Sequence, residues 1–151
     1  MLALINELIT PLNLTAILTA TCCSFIIGLE RQYFGKPAGI RTSILICLGA
    51  YCFVALSSSL IGDSTDTSRV VGQVVTGIGF LGAGIMFNNG EVVQGITSAA
   101  VIWIIAAIGC MIGFGHYGAA IGITLLTVFV LFGISFLEHR FKKLGLRTDK
   151  E

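Results

Sequence analysis

Apolar runs of about twenty residues, parted by short polar or glycine-rich stretches, set the pattern of this chain. A run of that length crosses the core of a bilayer as a helix. The pattern predicts spans over about residues 12–29, 42–61, 70–87, 97–114 and 119–137. Leu4, Ile5, Leu8 and Ile9 predict a short interfacial helix that ends near Pro11. The loop Arg31–Arg41 is rich in glycine and base, and Pro37 disfavours helix at Lys36. Asp66 or Ser68 is placed to cap the third span. Gly113–Gly118 forms a glycine turn, and Glu138–Glu151 a polar, basic tail.

The third run organises the rest. It carries no charge from Val70 to Gly90. At 100° per residue, Val70, Val71, Val74, Val75, Ile78, Leu81 and Ile85 fall on one arc of roughly 140°. Gly72, Gln73, Thr76, Gly79, Phe80 and Ala83 share the opposite face with Arg69. Lipid tails give helices no hydrophobic reason to associate, so close approach over small residues supplies the contact. The expectation is a third helix at the centre of a bundle. Gly72, Thr76, Gly79 and Ala83 would touch other helices, and the valine–isoleucine arc would face lipid or a second protomer. Gly77-Ile78-Gly79-Phe80-Leu81-Gly82 also spells a dinucleotide fingerprint. That motif needs a strand before it and an acid ~20 residues after it. Here the glycines sit inside one apolar segment, so helix packing is the better reading.

Composition supports a membrane protein: 55% of the 151 residues are hydrophobic and 11% charged, against about 25% charged in soluble domains. No basic leader with a small-residue cleavage site precedes the first run, so no removable signal peptide is expected. The placement of charge predicts orientation. Arg31, Lys36, Arg41, Arg140, Lys142, Lys143, Arg147 and Lys150 fall on one side of a five-span chain, and Arg69 falls on the other with Glu7, Asp63 and Asp66. Short loops rich in Lys and Arg stay cytoplasmic. The expected fold is therefore an all-α integral membrane protein, a compact five-helix bundle with its N-terminus out and its C-terminus in. A shift that carries Gly28 onto Gly84 also carries Gly39 onto Gly95, Ile40 onto Ile96, Ile46 onto Ile102 and Ala50 onto Ala106, so spans one–two and three–four read as parallel repeats.

Candidate chemistry lies at the two boundaries. On the basic side, Glu30, Arg31, Arg41, Thr42, Asn88 and Glu91, with Asn89, form a polar cluster. Charges facing lipid are expensive, so these should pair on the bundle side. They either bind a partner, a lipid headgroup or an ion, or simply orient the chain and snorkel. On the other side Asp63, Asp66, Arg69 and Gln73 cluster. Asp63 and Asp66 are weak candidates for Mg²⁺, which binds through one or two carboxylates and keeps its waters. The plainer reading is a helix cap with an Asp66–Arg69 pair at i, i+3. Cys22, Cys23, Cys47, Cys52 and Cys110 lie in apolar runs without ligand spacing and read as small helix residues. Neither His116 nor His139 has a neighbour that would make it a ligand or a base. No nucleophile–base pair or phosphate loop occurs, so no enzyme, no cofactor and no nucleic-acid partner is expected. The expected contacts are membrane lipid, other copies of the chain and another membrane protein complex. Gly109-xxx-Gly113 and Gly118-xxx-Gly122 offer close-contact faces for self-association.

Four ordered motifs carry a resemblance. They are Gly28-Leu29-Glu30-Arg31, then Ala38-Gly39-Ile40-Arg41-Thr42, then the run Arg69–Gly84, then Gly95-Ile96-Thr97-Ser98-Ala99-Ala100 with Trp103. Together they resemble the MgtC/SapB family over about Ile26–Gly115. The resemblance implies a five-span domain of the bacterial inner membrane, linked to growth at low magnesium and, in some bacteria, to survival inside host cells. Many members add a soluble domain after the fifth span. This chain stops at Glu151, so that domain's functions are not carried over. The resemblance leaves two readings: a non-enzymatic regulator that acts by helix contacts, or a transporter or channel for Mg²⁺ or another ion.

Overall fold

The computed structural model describes residues 7, 9–59, 66–88 and 93–143, without the side chains of 87, 88 and 135–143. The expected helix over the first eleven residues, Asp63, Asn89, Glu91 and the tail beyond residue 143 lie outside the described residues or nearly so. Among the described residues from Leu14 on, five helices follow in order: α1 Leu14–Tyr33, α2 Ile40–Ser59, α3 Thr67–Ile85, α4 Ile96–Gly113 and α5 Tyr117–Lys143. All five are long and apolar enough to cross a bilayer. The chain is an all-helical, multi-pass membrane protein. Between α3 and α4 a hairpin pairs two antiparallel strands of two residues each, with Phe87 opposite Gln94 and Asn88 opposite Val93.

Local chemistry explains the ends. The Asn13 side chain accepts from the Thr15 N–H at 2.8 Å and caps α1. The Asn13 N–H donates to the buried Tyr51 hydroxyl at 2.7 Å, which ties the start of α1 to α2. Asp66 caps α3 by accepting from the Ser68 N–H at 2.9 Å. Gly95 enters α4 at φ +88, a conformation that favours glycine, with the Ile85 carbonyl against its Cα. Hydroxyls inside the helices bond back to carbonyls one turn earlier, as Thr21 does to Ile17, Ser24 to Ala20 and Thr124 to Ala120. Where no water is available, this satisfies the group within its own helix.

The centre of the bundle is α4, not α3. Half of the α4 span is buried in the protein (50%), against 11% of the α3 span. α4 packs on α2 most extensively and also meets α1, α3 and α5. Its sequence explains this, because it is apolar on every face and small where neighbours cross. A Cβ on Gly109 would run into the Cys47 carbonyl and come within 2.9 Å of the Ala50 Cβ. A Cβ on Gly113 would come within 2.6 Å of the Val54 side chain. The face Gly109-xxx-Gly113 is therefore consumed within the protomer by α2, whereas a Cβ on Gly118 or Gly122 meets nothing within 4 Å. The core lies between α1, α2 and α4, around Ala20, Ile27, Cys47, Val54, Ile105 and Ile108.

The expectation for α3 is overturned. Gly72, Thr76, Gly79 and Ala83 are exposed, and Gly72 and Gly79 have open space where a Cβ would stand. Part of the arc expected to face outward turns in: Ile78 is buried, and Val71, Val74 and Ile85 pack against the core, while Val75 and Leu81 stay exposed. The tight point is Gly82, the one glycine of that arc, with Ala99 of α4 3.5 Å from its would-be Cβ. The reason is physical. Thr76 donates to the Gly72 carbonyl at 2.9 Å, so its polar group needs no other helix and the face can meet lipid. The branched side chains offer more dispersion contact to α4 than a glycine face does.

The repeat is only partly visible in the packing. Gly28 is pressed on α2, its would-be Cβ 2.7 Å from the Ile40 Cα, while Gly84 meets nothing within 4 Å.

Candidate functional site

Up-and-down helices joined by short links bring the end of α1, the start of α2, the hairpin and the start of α4 to one end of the bundle. The site is built there. α1 runs to Tyr33, four residues beyond the predicted end of its span. Glu30 and Arg31 are thus helical residues in the bundle rather than a boundary after it. The close contact of Gly28 with Ile40 and Ser43 draws α1 onto α2. One turn further on, Arg31 is enclosed at 3% exposure and Glu30 at 4%.

The Arg31 Nη2 donates to the Ser98 Oγ at 2.6 Å, a contact across 67 positions of sequence. The Arg31 Nη1 stands 3.9 Å from the Glu30 Oε2, an ion pair too long to be a hydrogen bond. Among the described residues, the Glu30 Oε2 and the Arg31 Nε have no hydrogen-bond partner. Buried charges with incomplete partners cost stability, since desolvation is repaid only by full pairing. Such an arrangement at a membrane boundary makes the pair a candidate for function. Beside it, Ala38 holds φ +61 although it is not glycine, and its carbonyl accepts from the Ser43 hydroxyl at 3.0 Å.

The other predicted members of this cluster are not drawn in. Arg41 and Thr42 are exposed on the first turn of α2, and Arg41 makes no ion pair among the described residues. Asn88 reaches the same end through its backbone pairing with Val93. Glu91 lies outside the described residues. Ser98 is the member that sequence reasoning did not single out. A signal for it existed, because the shift that carries Gly39 onto Gly95 carries Thr42 onto Ser98.

At the far end, the Asp66 carboxyl turns to Ser68, not to Arg69, so the expected i, i+3 ion pair is not formed. The Ser68 hydroxyl and then its N–H hold the Asp66 carboxyl below the usual carboxylate range. Folding lowers the pKa of this carboxyl, so the cap is complete above the ordinary carboxylate range and is lost as pH falls through the lowered value. Asp66→Ala is expected to speed amide hydrogen exchange in the first turn of α3 and leave the exchange of α4 unchanged. Asp63 lies outside the described residues, and no group of three or more potential metal ligands occurs among the described ones. Arg69 and Gln73 are exposed on α3. Nothing among the described residues pairs a nucleophile with a base.

Comparison with known proteins gives the following. The model of the MgtC family matches residues 17–140. Protein MgtC of Brucella abortus (strain 2308) is 46% identical over 106 residues, which cover 70% of this chain and 43% of the relative. The putative magnesium transporter YhiD of Escherichia coli K12 is 43% identical over 122 residues, 76% of this chain and 56% of the relative. Protein MgtC of Salmonella typhimurium LT2 is 33% identical over 135 residues, 89% of this chain and 58% of the relative. The chain thus spans about half the length of these curated relatives. No solved structure matches it.

Proposed function

Because this chain belongs to the MgtC family, a magnesium-related family of membrane proteins, we propose that it is a non-enzymatic regulator of the bacterial inner membrane. In this reading it serves adaptation to low Mg²⁺ and acts through contacts with other membrane proteins. The basic end, with Arg31, Lys36 and Arg41, faces the cytoplasm.

One observation carries the reading. Among the described residues every charged side chain lies near a helix end, and none lies in the middle of a span. Ion-coupled transporters place an ionisable group on the path. An exposed arginine at the boundary without an intramolecular ion pair, such as Arg41, is instead placed to meet another molecule. Transport of Mg²⁺ is the competing reading, supported by the name given to the Escherichia coli relative.

The two readings separate in liposomes that contain only the purified protein and an internal Mg²⁺ dye. The expected result is no uptake above protein-free vesicles. Reproducible uptake that is lost on Asp66→Asn would establish transport instead. The regulatory reading is tested by Arg41→Ala. The variant is expected to insert and accumulate normally, because the Arg41 side chain is exposed and forms no ion pair among the described residues, yet fail to restore growth at low Mg²⁺. Full restoration would remove Arg41 from the contact.

A further inference from the structure

α3 packs chiefly on α4 and only thinly on α2. Between α2 and α3 this leaves a trough of about 840 Å³, open along its side. Its walls are apolar and include Leu45, Gly49 and Phe53 of α2 and Gly77 and Leu81 of α3. Leu45, Phe53 and Leu81 are all exposed along it. Charge enters the trough at one end: Arg69, with Gln73 beside it, lines it at the outer end of α3, and the uncharged Thr42 lines the opposite end. Arg69 forms no ion pair among the described residues, and the nearby Asp66 carboxyl is engaged by Ser68.

The geometry points to a bound membrane phospholipid, with its phosphodiester on Arg69 and Gln73 and one acyl chain laid along the trough. Charge selects the head: a guanidinium matches phosphate oxygens with two parallel donors. Length suits the tail. From Arg69 to Ile85, α3 rises roughly 24 Å at 1.5 Å per residue. That exceeds one leaflet's half of a ~30 Å hydrocarbon core. Volume separates this occupant from a partner helix. The trough falls within the ~300–1,000 Å³ of small-ligand sites. A helix about 10 Å wide over the same length displaces roughly 1,900 Å³, so most of it would stand outside. The two glycines keep the channel clear, because a Cβ on Gly49 or Gly77 meets nothing within 4 Å. This inference does not depend on the regulatory reading.

The test replaces Phe53 by the photoreactive benzoylphenylalanine. The protein is reconstituted in vesicles of phosphatidylethanolamine and phosphatidylglycerol, extracted in mild detergent, irradiated and weighed by mass spectrometry. The same probe at Phe129, on the open face of α5, reports ordinary surrounding lipid. The expected product at Phe53 is an adduct of one phospholipid, with none at Phe129. Gly77→Leu starts from a Cβ in open space on the trough wall, fills the trough and is expected to abolish the adduct. Arg69→Gln is expected to lower it about tenfold, the loss of one charged contact. Three results overturn the assignment: no lipid adduct at Phe53, equal adducts at both positions, or an adduct with the mass of a second copy or another protein. Undiminished yield in Gly77→Leu also overturns it.

Discussion

Gly109→Ala is expected to destabilise the bundle strongly, although it adds a single methyl group. The new carbon would run into the Cys47 carbonyl oxygen and stand 2.9 Å from the Ala50 methyl. Neither is the free end of a flexible side chain, so α2 and α4 must move apart. These two helices form the most extensive contact of the fold. Overpacking of a tight core costs about 1–3 kcal/mol, and a clash with backbone belongs at the upper end. Gly109→Val should prevent folding altogether. Gly122→Ala is the matched control, since its Cβ enters open space. It should leave stability unchanged or raise it slightly, by the ~0.5–1 kcal/mol that alanine gains over glycine in a helix. Unfolding by SDS titration of micellar protein measures all three. Equal effects at 109 and 122 would mean that α2 and α4 do not meet over this glycine.

The second large effect is expected at the buried pair. Arg31→Leu leaves the Glu30 carboxylate enclosed without its counter-charge. Breaking a buried pair from one side costs about 3–5 kcal/mol. The double variant Glu30→Leu with Arg31→Leu removes both charges and should recover much of that loss, because apolar replacements of whole ion pairs are often neutral. Ser98→Ala removes the acceptor 2.6 Å from the guanidinium and should cost less than Arg31→Leu. The ordering of the three, measured by the same titration, is the result that matters. A double variant no more stable than Arg31→Leu would show that the two charges do not interact. Restored stability without restored growth at low Mg²⁺ would assign the charges to function rather than to the fold.

The sequence is decisive where lipid and water impose opposite demands. Chain length, apolar runs and the charges at their ends determine the number of helices, because a bilayer excludes unpaired backbone and isolated charge alike. The four motifs from Gly28 to Trp103 suffice to place the chain in its family. Glu30 and Arg31 stand out because an acid beside a base is not needed for orientation alone.

Three things were not legible, for one shared reason. α3 was expected at the centre with its glycine face inward; instead Ile78 and Gly82 are buried, and Gly72 and Gly79 face outward. Gly109-xxx-Gly113 has the spacing of a surface for another copy, yet α2 occupies it. Ser98 completes the boundary site from 67 positions away. In water, an apolar arc must turn inward, so periodicity reveals the buried face. In a bilayer both sides of a helix are apolar, and a hydroxyl such as Thr76 satisfies itself on its own helix. The sequence by itself therefore determined which segments span and where charge can rest. Only the tertiary structure decided which face meets which, since that choice turns on dispersion and steric fit between particular side chains, and the solvent contributes almost nothing to it.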